Sequence, residues 1–241
     1  MPATAGAAQS VRLSIITPTL NEASAISALL GDLAPLRAAG HELILVDGGS
    51  SDATRALAEP LVDRLLDAPR GRAAQMNAGA QVATGELLWF LHADSRVPAA
   101  AAEALLAAAR AGGRPGMRPV VRWGRFDVRL SGRHPLLRVI ERAMNLRSCL
   151  SGIATGDQGL FVTRADFTAV GGFPNIPLME DIALSRRLRR LARPLCLRPA
   201  LITSSRRWES RGILRTMVLM WRLRLAYALG ADPARLARLY R

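Results

Sequence analysis

Three short stretches of this chain place carboxylates where chemistry could use them. The first is Asp47-Gly48-Gly49-Ser50-Ser51-Asp52, which follows the apolar run 42–46 and combines two glycines, two hydroxyls and two carboxylates. Part of it reads as turn and capping chemistry. Asp47 is not needed for a turn, and it sits where a ribose or base hydroxyl could be gripped. The second is His92-Ala93-Asp94, after the apolar run 87–91. With one residue between them on an extended segment, His92 and Asp94 point to the same side and can approach one ion. A carboxylate suits Mg²⁺ or Mn²⁺ shared with substrate phosphates, and an imidazole tilts the choice toward Mn²⁺. The plain alternative for His92 is a hydrogen-bonded histidine under a loop. The third is Glu180-Asp181, at the head of an Arg-rich segment. There a carboxylate either caps a helix or, held ionised, accepts an alcohol proton.

Arginines accompany these acids. Arg70 and Arg72 precede one expected helix, and Arg206-Arg207-Trp208 sets two guanidiniums beside a flat ring. A guanidinium fork grips paired phosphate oxygens, although either group reads equally as a surface patch. Gly156-Asp157-Gln158-Gly159 is a polar break before an apolar strand, suited to a substrate-facing loop or merely a turn.

The elements that must position these residues alternate. Strands are predicted at 13–17, 42–46, 62–66 and 86–91, with helices at about 21–39, 73–83 and 99–111. Short turns between them call for an α/β fold with a mostly parallel sheet and helices on both faces. Ligands of such sheets bind beyond the carboxyl ends of the strands, the address shared by Asp47 and Asp94. After a Gly/Arg/Pro-rich linker at 112–119 the pattern changes. It predicts a long strand at 120–130, a helix at 136–150, strands at 160–163 and 195–201, a helix at 181–192 and a terminal helix.

Composition narrows the partners. Among 241 residues, 33 are basic and 19 acidic, for a formal charge of +14; every basic side chain is Arg and none is Lys. Such a surface attracts phosphates, anionic lipid or nucleic acid. With aromatics at 5% and arginines in every segment, a single-strand binder that interleaves aromatic and basic residues is disfavoured, so no nucleic-acid partner is expected. Two cysteines, Cys149 and Cys196, form no disulfide framework, and a cytoplasmic setting is the default. Residues 1–11 read as a disordered start without signal-peptide pattern. Residues 212–229 are interrupted by Arg215, Arg222 and Arg224, which argues against a membrane span. Arg211, Arg215 and Arg222 share one helical face, while Arg224 falls on the other side. The expectation is an amphipathic C-terminal helix packed on the domain, with peripheral contact to anionic lipid as the sharper alternative.

Taken in order, Thr17-Pro18-Thr19-Leu20-Asn21-Glu22, Val46-Asp47-Gly48-Gly49-Ser50-Ser51-Asp52, His92-Ala93-Asp94 and Glu180-Asp181 resemble glycosyltransferase family 2, the inverting family with the GT-A fold. The resemblance runs from about Leu13 to Trp208. More narrowly, Gly71-Arg72-Ala73-Ala74-Gln75-Met76-Asn77-Ala78-Gly79-Ala80, the stretch from Leu91 to Ser95, Gly156-Asp157-Gln158-Gly159 and Arg206-Arg207-Trp208 resemble a small bacterial subgroup labelled arsenosugar-biosynthesis glycosyltransferases. The family resemblance implies a nucleoside-diphosphate sugar donor, an acceptor hydroxyl and a divalent metal. Pro18, Leu20, Glu22 and Asp47 match positions lining the nucleoside pocket, Asp94 the metal-binding aspartate of D-x-D, and Asp181 the catalytic base. Arg207-Trp208 matches the end of Q-x-x-R-W, and Arg72 is assigned to the phosphates.

The chain departs from the family pattern at three places. His92 replaces the first Asp of D-x-D, Gly48 stands where a second acid often contacts the base, and Ser204 replaces the Gln of Q-x-x-R-W. The resemblance implies one GT-A domain at 12–210, with a donor half at 12–98 and an acceptor half at 118–210. A basic helical extension follows at 211–241. The rival enzyme class is a sugar-phosphate nucleotidyltransferase on a similar sheet, which usually carries a Gly-rich loop with Arg and Lys after the first strand. Here that place is Pro18-Thr19-Leu20-Asn21-Glu22. An assay separates the two: release of nucleoside diphosphate from a sugar nucleotide is expected, and pyrophosphate release from a nucleoside triphosphate plus sugar phosphate is not.

Overall fold

Backbone hydrogen bonding and side-chain alternation together explain how the strands assemble. The computed structural model describes residues 11–111 and 121–240. Its first half runs β1 (Leu13–Thr19), α1 (Ile26–Ala38), β2 (Glu42–Asp47), α2 (Thr54–Ala58), β3 (Arg64–Asp67), α3 (Arg72–Val82), β4 (Leu87–Phe90) and α4 (Ala99–Ala111). The second runs β5 (Trp123–Leu130), α5 (Pro135–Ser151), β6 (Phe161–Thr163), α6 (Arg164–Ala169), α7 (Glu180–Leu191), β7 (Leu195–Thr203), α8 (Arg206–Arg211), α9 (Ile213–Ala228) and α10 (Pro233–Tyr240).

The strands form one sheet in the order β3-β2-β1-β4-β6-β5-β7. It is parallel except at β6, which runs antiparallel to both β4 and β5. Successive strand residues face opposite sides, and both sides are apolar. Leu13, Ile15, Leu43, Leu45, Trp89 and Phe161 join the α1 and α4 layer. Ile16, Ile44, Val46, Leu88, Phe90 and Val162 join the layer of α3 and α7. Continuous apolar runs are what a sheet covered on both faces requires.

Several boundaries differ from those expected. α1 starts at Ile26, not near Asn21, because Asn21 adopts a left-handed backbone (φ 55°) that a right-handed helix cannot include. α2 and α6, both short, lacked a periodic apolar face and went unpredicted. β5 begins at Trp123; Val120 and the linker at 112–119 lie outside the described residues, as do residues 1–10. The expected extension at 211–241 is two helices among the described residues, α9 and α10, set off from α8 at Gly212 (φ 85°) and parted at Gly230 (φ 91°), conformations that glycine adopts without a side-chain penalty. The expected boundary after residue 210 falls inside α8.

α3 lies close on the sheet. A Cβ at Gly79 would stand 2.5 Å from Ile16 Cγ2 and 3.1 Å from Val46 Cγ2. Gly79→Val is expected to cost about 1–3 kcal/mol by overpacking, read as a lower urea midpoint with an unchanged slope.

Candidate active site

The site begins where β1 and β2 end. The segment after β1 and the loop after β2 are tied together by side chains. Asn21 N donates to Ser50 Oγ (2.9 Å), Glu22 N to Thr54 Oγ1 (2.8 Å) and Ala23 N to Asp52 Oδ2 (3.1 Å). In return, Ser51 N donates to Asn21 Oδ1 (2.8 Å). The left-handed turn at Asn21 is thereby held from the neighbouring loop.

Asp47 does not reach the cavity. Its carboxylate, 1% exposed, accepts from Gly49 N (3.0 Å), Ser50 N (2.8 Å), Ser50 Oγ (2.5 Å) and Thr19 Oγ1 (3.3 Å). Burial alone would raise its pKa, but the Ser50 and Gly49 donors and nearby Arg55 outweigh it and hold the group below its usual value. Gly48 likewise packs on the Gln75 side chain. Asp47 is therefore taken up by Thr19 and by the donors of its own loop, and it is absent from the cavity wall described next.

Beyond the strand ends lies a cavity of about 740 Å³ whose wall includes Pro18, Leu20, Glu22, Arg70, Arg72, His92, Asp94, Asp157, Arg207, Trp208 and Tyr240. A smaller one of about 100 Å³ is walled by Thr155, Gly156, Asp181, Arg224 and others. Arg72, His92, Asp157, Met220 and Tyr240 belong to both walls, so the two adjoin. Asp94 stands in the larger cavity and Asp181 in the smaller.

Asp94 has a carboxylate to which no side chain among the described residues donates. Burial pushes its pKa up, with His92 opposing and Asp157 adding to the rise. Burial also raises Glu22, and the charge of Asp94 raises it further. His92 Nδ1 lies 3.3 Å from Asp157 Oδ1. Burial would lower the imidazole pKa, but the Asp157 hydrogen bond and charge raise it overall. The opposite holds at Asp157, where His92 overcomes burial and lowers the carboxyl pKa. The other edge of the ring packs on Gly156, where any Cβ would strike it.

Asp181 is fixed at the first turn of α7: Oδ2 accepts from Gly156 N (2.9 Å) and Oδ1 from Ile182 N (2.7 Å). The helix starts from Met179, the second non-glycine residue with a left-handed backbone (φ 69°). Beside it, Glu180 is 2% exposed and 2.9 Å from Arg72 Nε. Burial raises the Glu180 pKa against the lowering charge of Arg72. Arg224 of α9 reaches the small cavity from above; burial lowers its pKa, and Asp181 and Asp157 oppose that. Arg147 of α5 is pushed down to about 10 by burial and by Arg224.

Residues of α8, α9 and α10 form one wall of the larger cavity. Arg207 lies 3.9 Å from the Tyr240 ring centroid, a cation–π distance, and its Nη1 is buried with no partner among the described residues. Arg211 Nη1 donates to Tyr240 O (3.1 Å). Trp208 combines a cavity wall with packing on Leu130, Leu137 and Ile140. Sequence reasoning missed Asp157, Arg224 and Tyr240 as site residues. The available signals were the polar break at Gly156-Asp157-Gln158-Gly159 and the one arginine, Arg224, out of phase with its neighbours.

The sequence profile described as Glycosyl transferase family 2 matches residues 14–168, more than half of the chain. The chain belongs to this family. The matched span takes in Glu22, Asp94 and Asp157 and ends before Asp181. Among curated relatives, the "PGL/p-HBAD biosynthesis glycosyltransferase" of Mycobacterium tuberculosis (strain ATCC 25177 / H37Ra) is 43% identical over 88 residues, 34% of this chain and 34% of the relative. The protein of the same name from Mycobacterium bovis (strain BCG / Pasteur 1173P2) gives the same figures. The match thus spans about a third of these relatives' length.

Solved structures share the fold. S. aureus TarS 1–349 in complex with UDP-GlcNAc aligns with TM-score 0.63 and 18% identity, covering 80% of this chain and 58% of that one. Mannosyltransferase PcManGT from Pyrobaculum calidifontis, in complex with GDP-Man and Mn²⁺, aligns with TM-score 0.60 and 22% identity over 95% and 68%. Another S. aureus TarS structure is covered to 36% of its chain. At these identities the likeness is one of architecture.

Because the folded pKa of Asp47 is depressed, its stabilisation is present above the unfolded value near 3.8 and lost as pH falls through the lower folded value. Asp47→Asn is expected to lose about 1–3 kcal/mol at neutral pH. Denaturant titrations at about pH 3 should show the gap to the unsubstituted protein narrowed.

Proposed function

We propose that this protein is an inverting glycosyltransferase that moves a sugar from a nucleoside-diphosphate donor, UDP-type by default, to an acceptor hydroxyl with metal assistance. The observation that carries this reading is the pair of adjoining cavities, with Asp94 in one, Asp181 in the other, and Arg72, His92 and Asp157 shared between them. The larger has room for a nucleotide sugar, and the smaller suits a single reacting hydroxyl. Neighbours of the same fold are described in complex with UDP-GlcNAc and with GDP-Man and Mn²⁺, which supports a sugar-nucleotide donor here.

Pro18, Leu20 and Glu22 would line the nucleoside end, with Asp47 and Gly48 shaping the loop behind it. Arg72, Arg207 and Trp208 would flank the diphosphate, the guanidiniums donating to oxygens on which charge develops. Asp181 would accept the proton of the acceptor hydroxyl as that oxygen bonds to the anomeric carbon. The bond from that carbon to the diphosphate breaks, and the nucleoside diphosphate leaves. A single displacement of this kind inverts the anomeric configuration and needs no enzyme nucleophile.

The residues present fit a divalent ion. The Asp94 carboxylate faces the cavity without a side-chain donor, and His92 lies beside it. Among the described residues no three His, Cys, Asp or Glu side chains cluster tightly enough to hold a metal alone. Donor phosphates completing the shell would suit Mg²⁺ or Mn²⁺. Such an ion would neutralise charge on the leaving diphosphate. The engagement of His92 with Asp157 favours Asp94 as the principal ligand.

The proposed arrangement is a GT-A domain at 12–210 followed by a basic helical extension at 211–241, of which Met220, Arg224 and Tyr240 stand in the cavity walls. Likeness in the four quoted phrases supports placing the chain near the arsenosugar-biosynthesis subgroup. The proposed setting is the cytoplasm, at the inner membrane face, with α9 as the contact. No helix among the described residues is long and apolar enough to cross a membrane.

Asp181→Asn is expected to lower kcat by about 10²–10⁴-fold while leaving the donor dissociation constant within a few-fold. Normal turnover in that variant removes the base assignment. Asp94→Ala or chelation is expected to abolish the metal-dependent part of donor binding, followed as a loss of the Mn²⁺-dependent rise in Tm on adding sugar nucleotide.

A further inference from the structure

α9 has two faces, and only one belongs to the site. Thr216, Met220, Leu223 and Arg224 line the cavities. Opposite them, Leu214 (59% exposed), Val218, Trp221 (64%) and Leu225 stand in solvent. At 100° per residue these four fall within about 60° of one another, a single unpartnered apolar stripe.

α5 carries a matching stripe. Val139, Leu146 and Leu150 are exposed and fall within about 40° on the wheel. The two helices share one apolar cluster, to which α5 brings Leu137, Ile140 and Met144 and α9 brings Ile213 and Met217. On the wheel the α9 stripe lies about 90° from these residues and the α5 stripe about 130° from them, so each stripe stays outside the shared cluster. The outer flanks are basic: Arg142 bounds the α5 side, and Arg215 and Arg222 bound the α9 side, all exposed. α9 contains no acid, and the one acid of α5, Glu141, is buried against Arg138.

We propose that α5 and α9 together form a docking platform for an anionic lipid bilayer, so that the cavity beside Asp181 works on acceptors carried by amphiphiles at that surface. The acceptor part rests on the transferase reading above; the docking part does not. Charge selects the occupant. Apolar stripes bounded by arginines without exposed acids match the acyl boundary and phosphate layer of an anionic leaflet, and an exposed Trp suits the interface between them. An apolar surface of this kind on a folded protein marks an interaction site. The alternative raised from the sequence, peripheral lipid contact, placed only the C-terminal helix at the membrane. The shared cluster holds α5 and its stripe to α9, and the inner face of α9 couples the platform to Arg224 and the acceptor cavity.

The test uses the full chain and vesicle flotation. Vesicles of phosphatidylcholine with phosphatidylglycerol are expected to carry the protein, and vesicles of phosphatidylcholine alone to carry far less. Two double variants probe the helices separately: Leu146→Ser with Leu150→Ser, and Trp221→Ser with Leu225→Ser. Each is expected to lower partition about tenfold or more. Partition unchanged by either pair, or equal on the two vesicle types, overturns the platform. So does a dimer in sedimentation that the same substitutions dissociate, since the face would then belong to a second copy. A rise in Tm with sugar nucleotide and Mn²⁺, retained in both variants, shows that they fold. Absence of that rise in the unsubstituted protein would sink the transferase reading while leaving the flotation result standing. If docking stands, transfer to a vesicle-borne acceptor should fall with the flotation, and transfer to a water-soluble analogue should not.

Discussion

The contact between Arg72 and Glu180 is the constraint on which the site's shape depends. It joins the first residue of α3 to the first residue of α7, elements separated by more than a hundred positions in the chain. Glu180 is buried, and an ionised carboxylate there is tolerable only with its partner in place. The same guanidinium faces both cavities. One side chain therefore anchors the helix that carries Asp181 and supplies positive charge to both cavities. Because Asp181 is the next residue along, its position follows from the anchoring of Glu180.

The reversed strand β6 supplies the second element of order. A strand parallel to β4 would begin at the far end of the sheet from the site. Being antiparallel, β6 begins beside the carboxyl end of β4, and Phe90 N donates to Leu160 O at that junction. The preceding residues, Gly156 and Asp157, are thus delivered against His92. Gly156 then ties the two halves together: its bare Cα admits the imidazole, and its N–H donates to Asp181. Among the described residues, both left-handed non-glycine residues stand one position before a glutamate, Asn21 before Glu22 and Met179 before Glu180.

The C-terminal helices show what a helical wheel can and cannot tell. The phase of Arg224 against Arg211, Arg215 and Arg222 is visible in the chain, and the structure uses it: Arg224 turns to the small cavity while Arg215 and Arg222 stay exposed. What the wheel does not contain is the direction of the domain. Nor does it reveal the turn at Gly230 that sends α10 back so that Tyr240 meets Arg207.

From the sequence alone, strand and helix order, the parallel first half and the strand-end address of Asp94 were legible. They follow from local periodicity and from a rule about where parallel strands end. The family likewise rested on short contiguous phrases. Tertiary structure alone decided that Asp47 serves its own loop, because hydrogen-bond saturation depends on where Thr19 and Ser50 stand in space. It alone brought Asp157, Arg224 and Tyr240 into the site. Those placements depend on strand direction and on long-range contacts such as Arg72 with Glu180, and neither leaves a periodic trace in the chain.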